Sequence, residues 1–246
     1  MSITTSTVSL FHDAIRDIAG LDPSNATVLD FGCGRGALVD GLCKSGINAY
    51  GCDVDPYWEG EDPRLRPIQR SPYRIPFDDA SIDVVISTSV LEHAQNSREL
   101  FYEIKRVLKP GGYSMHMYPG KWYLPTEPHI YVPLVNWLWP RQPRWWLALW
   151  ALLGVRNEFQ QDKDWRTVTE LNEQFCAKGI NYQPQSFYRN ISMEVFGNCE
   201  WPMRYFLAKA DGGFAALHRR LPMKGLTAWV GQHTRMALLV QRKTVT

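Results

Sequence analysis

The stretch VLDFGCGRG, residues 28–36, carries an apolar run, an acid and three glycines within nine residues. The run Thr27–Phe31 is predicted to be a strand, and Ala37–Lys44 has the apolar spacing of a helix. A glycine-rich turn between a strand and a helix lets a ligand approach the backbone without meeting a Cβ atom, while the first N–H groups of the helix favour polar or negative ligand atoms. The stretch therefore predicts an α/β fold with a ligand site at Gly32, Gly34 and Gly36.

A second acid, Asp53, follows about twenty residues later in YGCDVD, residues 50–55. The segment before it, Asn48–Cys52, is predicted to be a strand, so Asp53 would lie at the carboxyl end, where its two oxygens can accept hydrogen bonds from both hydroxyls of a ribose. The glycine spacing with Ala37 also satisfies the dinucleotide fingerprint. The spacing therefore indicates an adenosine-type cofactor but leaves a nicotinamide dinucleotide open.

Further strands are predicted at Ile82–Ser87, Tyr113–Met117 and Met236–Val240, with a helix at Arg98–Leu108. Strands that alternate with helices favour parallel pairing and right-handed crossovers. A length of 246 residues suits one well-buried core. We therefore predict a doubly wound α/β fold in which residues 1–246 form a single domain.

Composition narrows the classes of partner and compartment. A formal net charge of +2 offers no bulk electrostatic attraction for nucleic acid. The five cysteines contain no CxxC pair, and an odd number does not make a disulfide framework. The first residues lack the pattern of a secretory signal, so a reducing, cytoplasmic location is expected.

An aromatic segment separates the fifth predicted strand from the rest of the chain. With Trp165 just beyond its end, it accounts for seven of the ten tryptophans. We interpret residues 119–164 as an insertion that covers the site. Its run RWWLALWALLG, Arg144–Gly154, is too short to span a bilayer. One interpretation is a lid helix that packs on the sheet. The other is a peripheral membrane contact within residues 134–154, with Arg141 or Arg144 at the membrane surface.

Four segments in order, at 28–36, 51–55, 75–93 and 108–118, resemble the class I S-adenosylmethionine-dependent methyltransferases, and most closely the small-molecule branch called type 11. The resemblance covers most of the first 118 residues. It implies a seven-stranded, mostly parallel sheet with S-adenosylmethionine over the carboxyl ends of the first two strands. Its final antiparallel strand could be Met236–Val240.

The resemblance also implies individual roles. The glycine turn would lie against the amino-acid part of the cofactor, with Asp30 helping to hold it. Asp53 would bind the ribose hydroxyls, and Val54 would lie against the adenine. Ser87 and its neighbours would line the pocket beyond the fourth strand.

One departure from the family concerns adenine recognition. The family carries a Gly-Asp-Ala-like triplet where this chain has Ser71 and Pro72. A serine hydroxyl accepts only weakly, and proline has no N–H to donate. Adenine recognition would then use Ser71, Tyr73, Tyr57 or another group.

Three histidines are candidates for a catalytic base. His129, in the insertion segment PTEPHIY, is favoured because a neutral imidazole can take a proton from an attacking hydroxyl. His93 is either a base or, with Glu92, a brace for the next helix. His116 faces either the pocket or the core. The histidines lack the spacing of metal ligands, so no metal site is predicted.

These features predict methyl transfer from S-adenosylmethionine to a small or amphiphilic acceptor, with oxygen favoured. The sulfonium is already an electrophile, so catalysis consists mainly of orienting the acceptor and removing its proton. Tryptophans of the insertion could stack on a sugar, an aromatic ring or a lipid. A nicotinamide-dependent oxidoreductase and a cofactor-binding protein without turnover remain alternatives.

Overall fold

The structure, a computed structural model, describes residues 5–54, 58 and 60–245. Six of its strands form one sheet, and two short strands form a separate antiparallel hairpin. The strands are β1 (Thr27–Phe31), β2 (Asn48–Asp53), β3 (Leu65–Pro67), β4 (Gln69–Arg70), β5 (Tyr73–Arg74), β6 (Ile82–Thr88), β7 (Leu108–Pro119) and β8 (Met236–Arg242). The order in the sheet is β3-β2-β1-β6-β7-β8, and all neighbours are parallel except β7 and β8.

Helices connect and cover these strands. They are α1 (Thr5–Asp17), α2 (Ala37–Lys44), α3 (Ser97–Val107), α4 (Val135–Leu138), α5 (Arg144–Leu152), α6 (Trp165–Lys178), α7 (Gln185–Phe196), α8 (Met203–Lys209), α9 (Gly213–Arg220) and α10 (Lys224–Thr234). The connections β1–α2–β2 and β6–α3–β7 run in opposite directions along the sheet. Because such crossovers are right-handed, α2 and α3 lie on opposite faces. The predicted doubly wound α/β fold is confirmed.

The strand order reverses between β1 and β6, and this reversal places the site. Parallel strands that diverge to opposite sides leave a crevice at their carboxyl ends, which is where ligands bind in open α/β sheets. The predicted glycine turn follows β1 and the predicted acid Asp53 ends β2. Both therefore lie at this crevice.

The described residues form six sheet strands, one fewer than the resemblance implies. After α6 the chain forms four helices, α7 to α10, before it returns to the sheet as β8. The spacing of their buried residues explains this, since Ile191, Val195 and Phe196 of α7 recur at helical intervals.

The predicted insertion packs with α6 rather than on the sheet. Four of its buried residues join residues of α6 and of the segment after it in a second hydrophobic cluster, separate from that of the sheet. We call it the insertion cluster: Ile130, Val132, Val135, Leu147, Cys176, Ile180 and Tyr182. Helix α5 contributes Leu147 and leaves Trp145 65% exposed. The expectation of a lid helix on the sheet is therefore wrong, because α5 buries its inner side against α6. No helix in the described ranges has the length and apolar character needed to cross a bilayer.

Candidate functional site

A cleft of about 430 Å³ opens at the carboxyl ends of β1, β2 and β6. Of the predicted site residues, it is lined by Gly32, Asp53, Val54, Tyr73 and His93. The turn after β1 and the acid that ends β2 thus line the same cavity as a histidine that follows β6. That these residues bind a cofactor or an acceptor stays a prediction.

Backbone conformation explains the glycines of the turn. Gly32, Gly34 and Gly36 all have positive φ, at 78°, 53° and 80°. At Gly32 a Cβ atom would also lie 2.3 Å from Cγ2 of Val90. Both the conformation and the lack of space therefore require glycine at position 32.

The N–H groups of the turn are bonded within the protein. Those of Gly32 and Cys33 donate to the carbonyl oxygen of Cys52 at 2.8 and 3.1 Å. The N–H of Gly34 donates to Oδ2 of Asp53 at 2.8 Å. These bonds hold the turn against the end of β2, and the first N–H groups of α2, which were expected to face a ligand, are not among them.

Two buried acids lie beneath and beside the turn. Asp53 is 8% exposed, and its Oδ1 accepts the N–H of Val54 at 2.7 Å. Asp30 is 3% exposed. Burial, with a smaller contribution from the charge of Asp53, raises the pKa of Asp30 to about 7. A cationic ligand in the cleft would relieve this electrostatic cost.

Of the residues expected to bind adenine, one lies away from the cleft. Val54 and Tyr73 line it together with Ile68. Ser71 instead lies exposed at the turn between β4 and β5, with its carbonyl oxygen accepting from Gln69. The prediction that Ser71 binds the cofactor is therefore wrong, because the hairpin turns this residue towards solvent.

Asp55 and Tyr57 lie outside the described residues, so the proposal that Tyr57 helps to recognise adenine stays a prediction.

Ser87 and His116 form a buried pair away from the cleft. The hydroxyl of Ser87 lies 2.8 Å from Nδ1 of His116, and the imidazole stacks on Phe101 of α3. Burial lowers the pKa of His116 to about 3, so the ring is neutral. The predictions that Ser87 lines the pocket and that His116 is catalytic are therefore wrong. Both side chains point to the sheet face covered by α3.

His93 lines the cleft and contacts His129, which lies outside the lining of the cleft. Their Nε2 atoms are 3.1 Å apart, although 36 residues separate them in the chain. Nδ1 of His93 bonds to the carbonyl oxygen of Gly179, and Nδ1 of His129 lies 2.6 Å from Oε1 of Glu127. His93 does not cap the next helix, because the side chain of Asn96 caps α3.

Glu127 is fully buried and accepts four hydrogen bonds. The donors are the backbone N–H groups of His129 and Ile130, the hydroxyl of Tyr182 and Nδ1 of His129. Burial alone would raise the pKa of Glu127, but these bonds, above all that from His129, hold it below its usual value. Burial would likewise lower the pKa of His129, but Glu127 raises it. The pair therefore favours a charged carboxylate beside a basic imidazole.

Glu92 lies next to this pair in the interior. Its side chain is buried, and neither carboxylate oxygen makes a hydrogen bond of normal geometry to the described residues. Burial raises the pKa of Glu92 to about 8, against the opposing influence of His129. A ligand atom of Glu92 lies within 4.8 Å of a ring nitrogen of each of His93 and His129.

The sequence analysis missed the wall of the cleft that α6 forms. Phe175, Lys178 and Gly179 line the cleft at the end of this helix. Gly179 in the sequence predicts the end of α6, and the structure has it as the C-cap, but no local pattern indicates that this end meets the carboxyl ends of the strands. Glu127 could have been predicted as a partner of His129, because it is a carboxylate two residues before that histidine in PTEPHIY.

A glycine turn after β1, an acid at the end of β2 and a crevice at the reversal of strand order define a Rossmann-like α/β domain. Residues 29–115 match the family model described as a methyltransferase domain. This region of the chain is therefore similar to the class I S-adenosylmethionine-dependent methyltransferases.

Known proteins resemble the chain in sequence and in fold. It is 30% identical over 123 residues to an uncharacterized methyltransferase of Mycolicibacterium gilvum (strain PYR-GCK), and this match covers 48% of each protein. The chain therefore spans about half the length of the curated relatives that it matches.

Two solved structures share the fold at low identity. One is an S-adenosylmethionine-dependent methyltransferase from Mesorhizobium loti, with a TM-score of 0.55 and 13% identity over 98% of both chains. The other is phosphoethanolamine N-methyltransferase 2 of Haemonchus contortus in complex with S-adenosyl-L-methionine, with a TM-score of 0.52, 13% identity and coverage of 99% of this chain and 58% of that one.

Proposed function

We propose that this chain transfers a methyl group from S-adenosylmethionine to a small or amphiphilic acceptor, with a hydroxyl oxygen favoured as the acceptor atom. One observation carries the proposal. A single cleft is lined by Gly32 and Asp53, at the ends of β1 and β2, and by His93, Phe175 and Lys178, from the segment after β6 and from α6. The first group suits the cofactor that the similar methyltransferases use, and the second suits the acceptor.

The reaction needs orientation and removal of one proton. When bound, S-adenosylmethionine would supply an electrophilic methyl group to the acceptor oxygen, and its sulfur would keep the electron pair of the broken carbon–sulfur bond. The proton of the hydroxyl passes to the His93–His129 pair, of which His129 is backed by Glu127. The carboxylate of Glu127 stabilises the positive charge that the pair then carries.

Calorimetric titration tests the cofactor. We expect S-adenosylmethionine and S-adenosylhomocysteine to bind, and Asp53→Ala to weaken both by about 10- to 100-fold because it removes a charged acceptor from the cleft. Asp78→Ala, which removes an exposed carboxylate outside the cleft, is the matched control. Binding of NAD(H) alone would refute the proposal and favour redox chemistry.

An acceptor screen tests turnover. The panel contains hydroxyl, amine and carbon acceptors, each in a small and an amphiphilic form, with His129→Ala assayed across the pH range. We expect methylation of a hydroxyl acceptor and loss of turnover in the variant. Cofactor binding without transfer to any member would identify a binding protein, and full activity of His129→Ala would remove this residue from the mechanism.

The outer face of α5 favours an amphiphilic acceptor. Trp145, Leu149 and Leu152 recur at helical spacing and, with Leu153, are 40–65% exposed. Such a face suits the surface of a membrane or micelle. Arg144 bonds to Glu173 of α6, which holds α5 in place, and both Arg144 and Arg141 are exposed beside this face.

Co-sedimentation with anionic liposomes at low salt tests this face. We expect Trp145→Ser/Leu149→Ser to lower the bound fraction at least about fivefold. The control, Leu226→Ser/Trp229→Ser, removes two side chains of comparable exposure on α10. No binding by the unmodified protein, or equal loss in both variants, would contradict a membrane contact at α5.

A further inference from the structure

The bonding partners of His93 and His129 determine which ring nitrogens carry hydrogen. A carbonyl oxygen and a carboxylate only accept hydrogen bonds, so Nδ1 of each ring is the donor, to Gly179 and Glu127 respectively. In neutral rings each Nε2 then carries a lone pair. These lone pairs face each other across 3.1 Å, a contact that becomes favourable when one ring is protonated or when a metal cation binds both nitrogens.

Glu92 supplies a second, independent indication. Its carboxylate is 1% exposed and lacks a normal hydrogen bond to the described part of the chain. A buried carboxylate with no hydrogen bond of normal geometry is costly, whereas one that binds a cation is not. One of its oxygens lies within 4.8 Å of a ring nitrogen of His93 and of His129.

We propose that Glu92, His93 and His129 bind one divalent transition-metal ion of the zinc or cobalt type. Two imidazole nitrogens 3.1 Å apart can each lie about 2.1 Å from a single ion. A rotation of the Glu92 side chain brings its oxygen to the same ion. Two imidazoles and one carboxylate are a ligand set that such ions prefer.

The surroundings of the two histidines match those of metal ligands. A histidine that binds a metal through one nitrogen usually donates its other N–H to a carboxylate or a backbone carbonyl, which fixes the orientation of the ring. Glu127 does this for His129, and the carbonyl of Gly179 does it for His93. The prediction of no metal site rested on sequence spacing, and the fold brings together ligands that are distant in the sequence.

The ion would have two consequences. It would tie the insertion, through His129, to the carboxyl edge of the sheet, through Glu92 and His93. Three protein ligands also leave a fourth position open, as in catalytic zinc sites. His93 lines the cleft, so an acceptor hydroxyl could occupy that position. The ion would then lower the pKa of this hydroxyl, in place of proton removal by a free imidazole. This second consequence rests on the proposed function, whereas binding of the ion does not.

Titration with Co²⁺ tests the site without any activity assay. Protein without a histidine tag is dialysed against a chelator and titrated while visible absorption and bound cobalt are measured. We expect one equivalent per chain, with the absorption of a four- or five-coordinate ion. Affinity should fall at least about tenfold in Glu92→Gln, His93→Ala and His129→Ala. His233→Ala, which removes an exposed histidine elsewhere, should bind like the unmodified protein.

Thermal unfolding keeps the test decisive if a variant folds poorly. Co²⁺ should raise the unfolding temperature of the unmodified protein, because the ion binds only the folded state. Absence of one tight equivalent in the unmodified protein, or equal affinity in all folded variants, would overturn the proposal. These outcomes are independent of the titration with S-adenosylmethionine, so the metal site and the methyl transfer can fail separately.

Discussion

The two sides of the cleft are built differently. The sheet half, residues 27–119, places its functional groups in short motifs at strand ends, and backbone hydrogen bonds from Gly32 and Gly34 hold them in position. The helical half, residues 120–235, assembles its polar groups from separate segments, as when Tyr182 donates to Glu127. One wall therefore depends on backbone conformation, and the other depends on a network of side chains.

The two halves also treat buried charge differently. In the sheet half, Asp30 and Asp53 repel each other, and the pKa of Asp30 is raised. In the helical half, Glu127 is balanced by four internal donors. The sheet half thus keeps an electrostatic cost that a cationic cofactor would relieve. In the helical half, donors within the protein already stabilise the charge of Glu127.

The largest expected effect comes from Gly32→Ala in the sheet half. The added Cβ atom meets Val90 at 2.3 Å on a backbone with φ of 78°. We expect the free energy of unfolding to fall by about 2–4 kcal/mol. Chemical denaturation measures this loss, and titration with S-adenosylhomocysteine should show no binding.

Gly46→Ala is the control. The φ of Gly46 is 84°, but no atom lies within 4 Å of the new Cβ, so this substitution should cost only about 1 kcal/mol. Equal losses would show that steric contact at the turn is unimportant.

In the helical half, Glu127→Gln should leave the sheet half intact. An amide replaces a carboxylate that accepts four hydrogen bonds, so we expect a loss of about 1.5–3 kcal/mol in the free energy of unfolding. Affinity for S-adenosylhomocysteine should change less than about twofold while turnover falls. Glu173→Gln, which removes an exposed partner of Arg144, should stay within about 0.5 kcal/mol. A large loss of cofactor affinity in Glu127→Gln would contradict the separation of the two walls.

A third prediction concerns pH and belongs to the sheet half alone. S-adenosylmethionine is cationic, so it binds better when Asp30 is ionised, and its binding lowers the pKa of Asp30 from about 7. Affinity should therefore fall as pH drops, by about tenfold between pH 8 and pH 6, with proton release on binding at the lower pH. Calorimetry in buffers of different ionisation enthalpy measures both. Asp30→Asn should remove this slope, and an unchanged slope would assign it to another group.

The smallest effect is expected at the outer face of the helical half. Trp145→Ser should change the free energy of unfolding by no more than about 0.5 kcal/mol, because that side chain is 65% exposed. The neighbouring Trp146 packs against the insertion cluster and donates to the carbonyl oxygen of Pro133 at 2.7 Å. Trp146→Ser should therefore cost about 3 kcal/mol. Denaturation curves of the two variants compare an exposed and a packed residue that are adjacent on one helix, and equal losses would contradict the packing of α5.

Local patterns predicted the sheet half well. The bounds of β1 and α2 are confirmed at Thr27–Phe31 and Ala37–Lys44, and Asn96 precedes the next helix as its cap. These elements depend on the period of apolar residues and on capping over a few positions. The two misplaced residues of this half, Ser87 and His116, show the limit. Strand period predicts which residues share a face but not which face meets the cleft.

The sequence by itself determined the glycine turn, Asp53 at the end of β2 and the doubly wound sheet, because each depends on backbone conformation and periodicity within a short stretch. Only the tertiary structure decided that His93 and His129 face each other beside Glu92. That arrangement requires the insertion to pack on α6 and against the carboxyl edge of the sheet. Contacts between segments distant in sequence depend on the packing of whole elements, which no local pattern records.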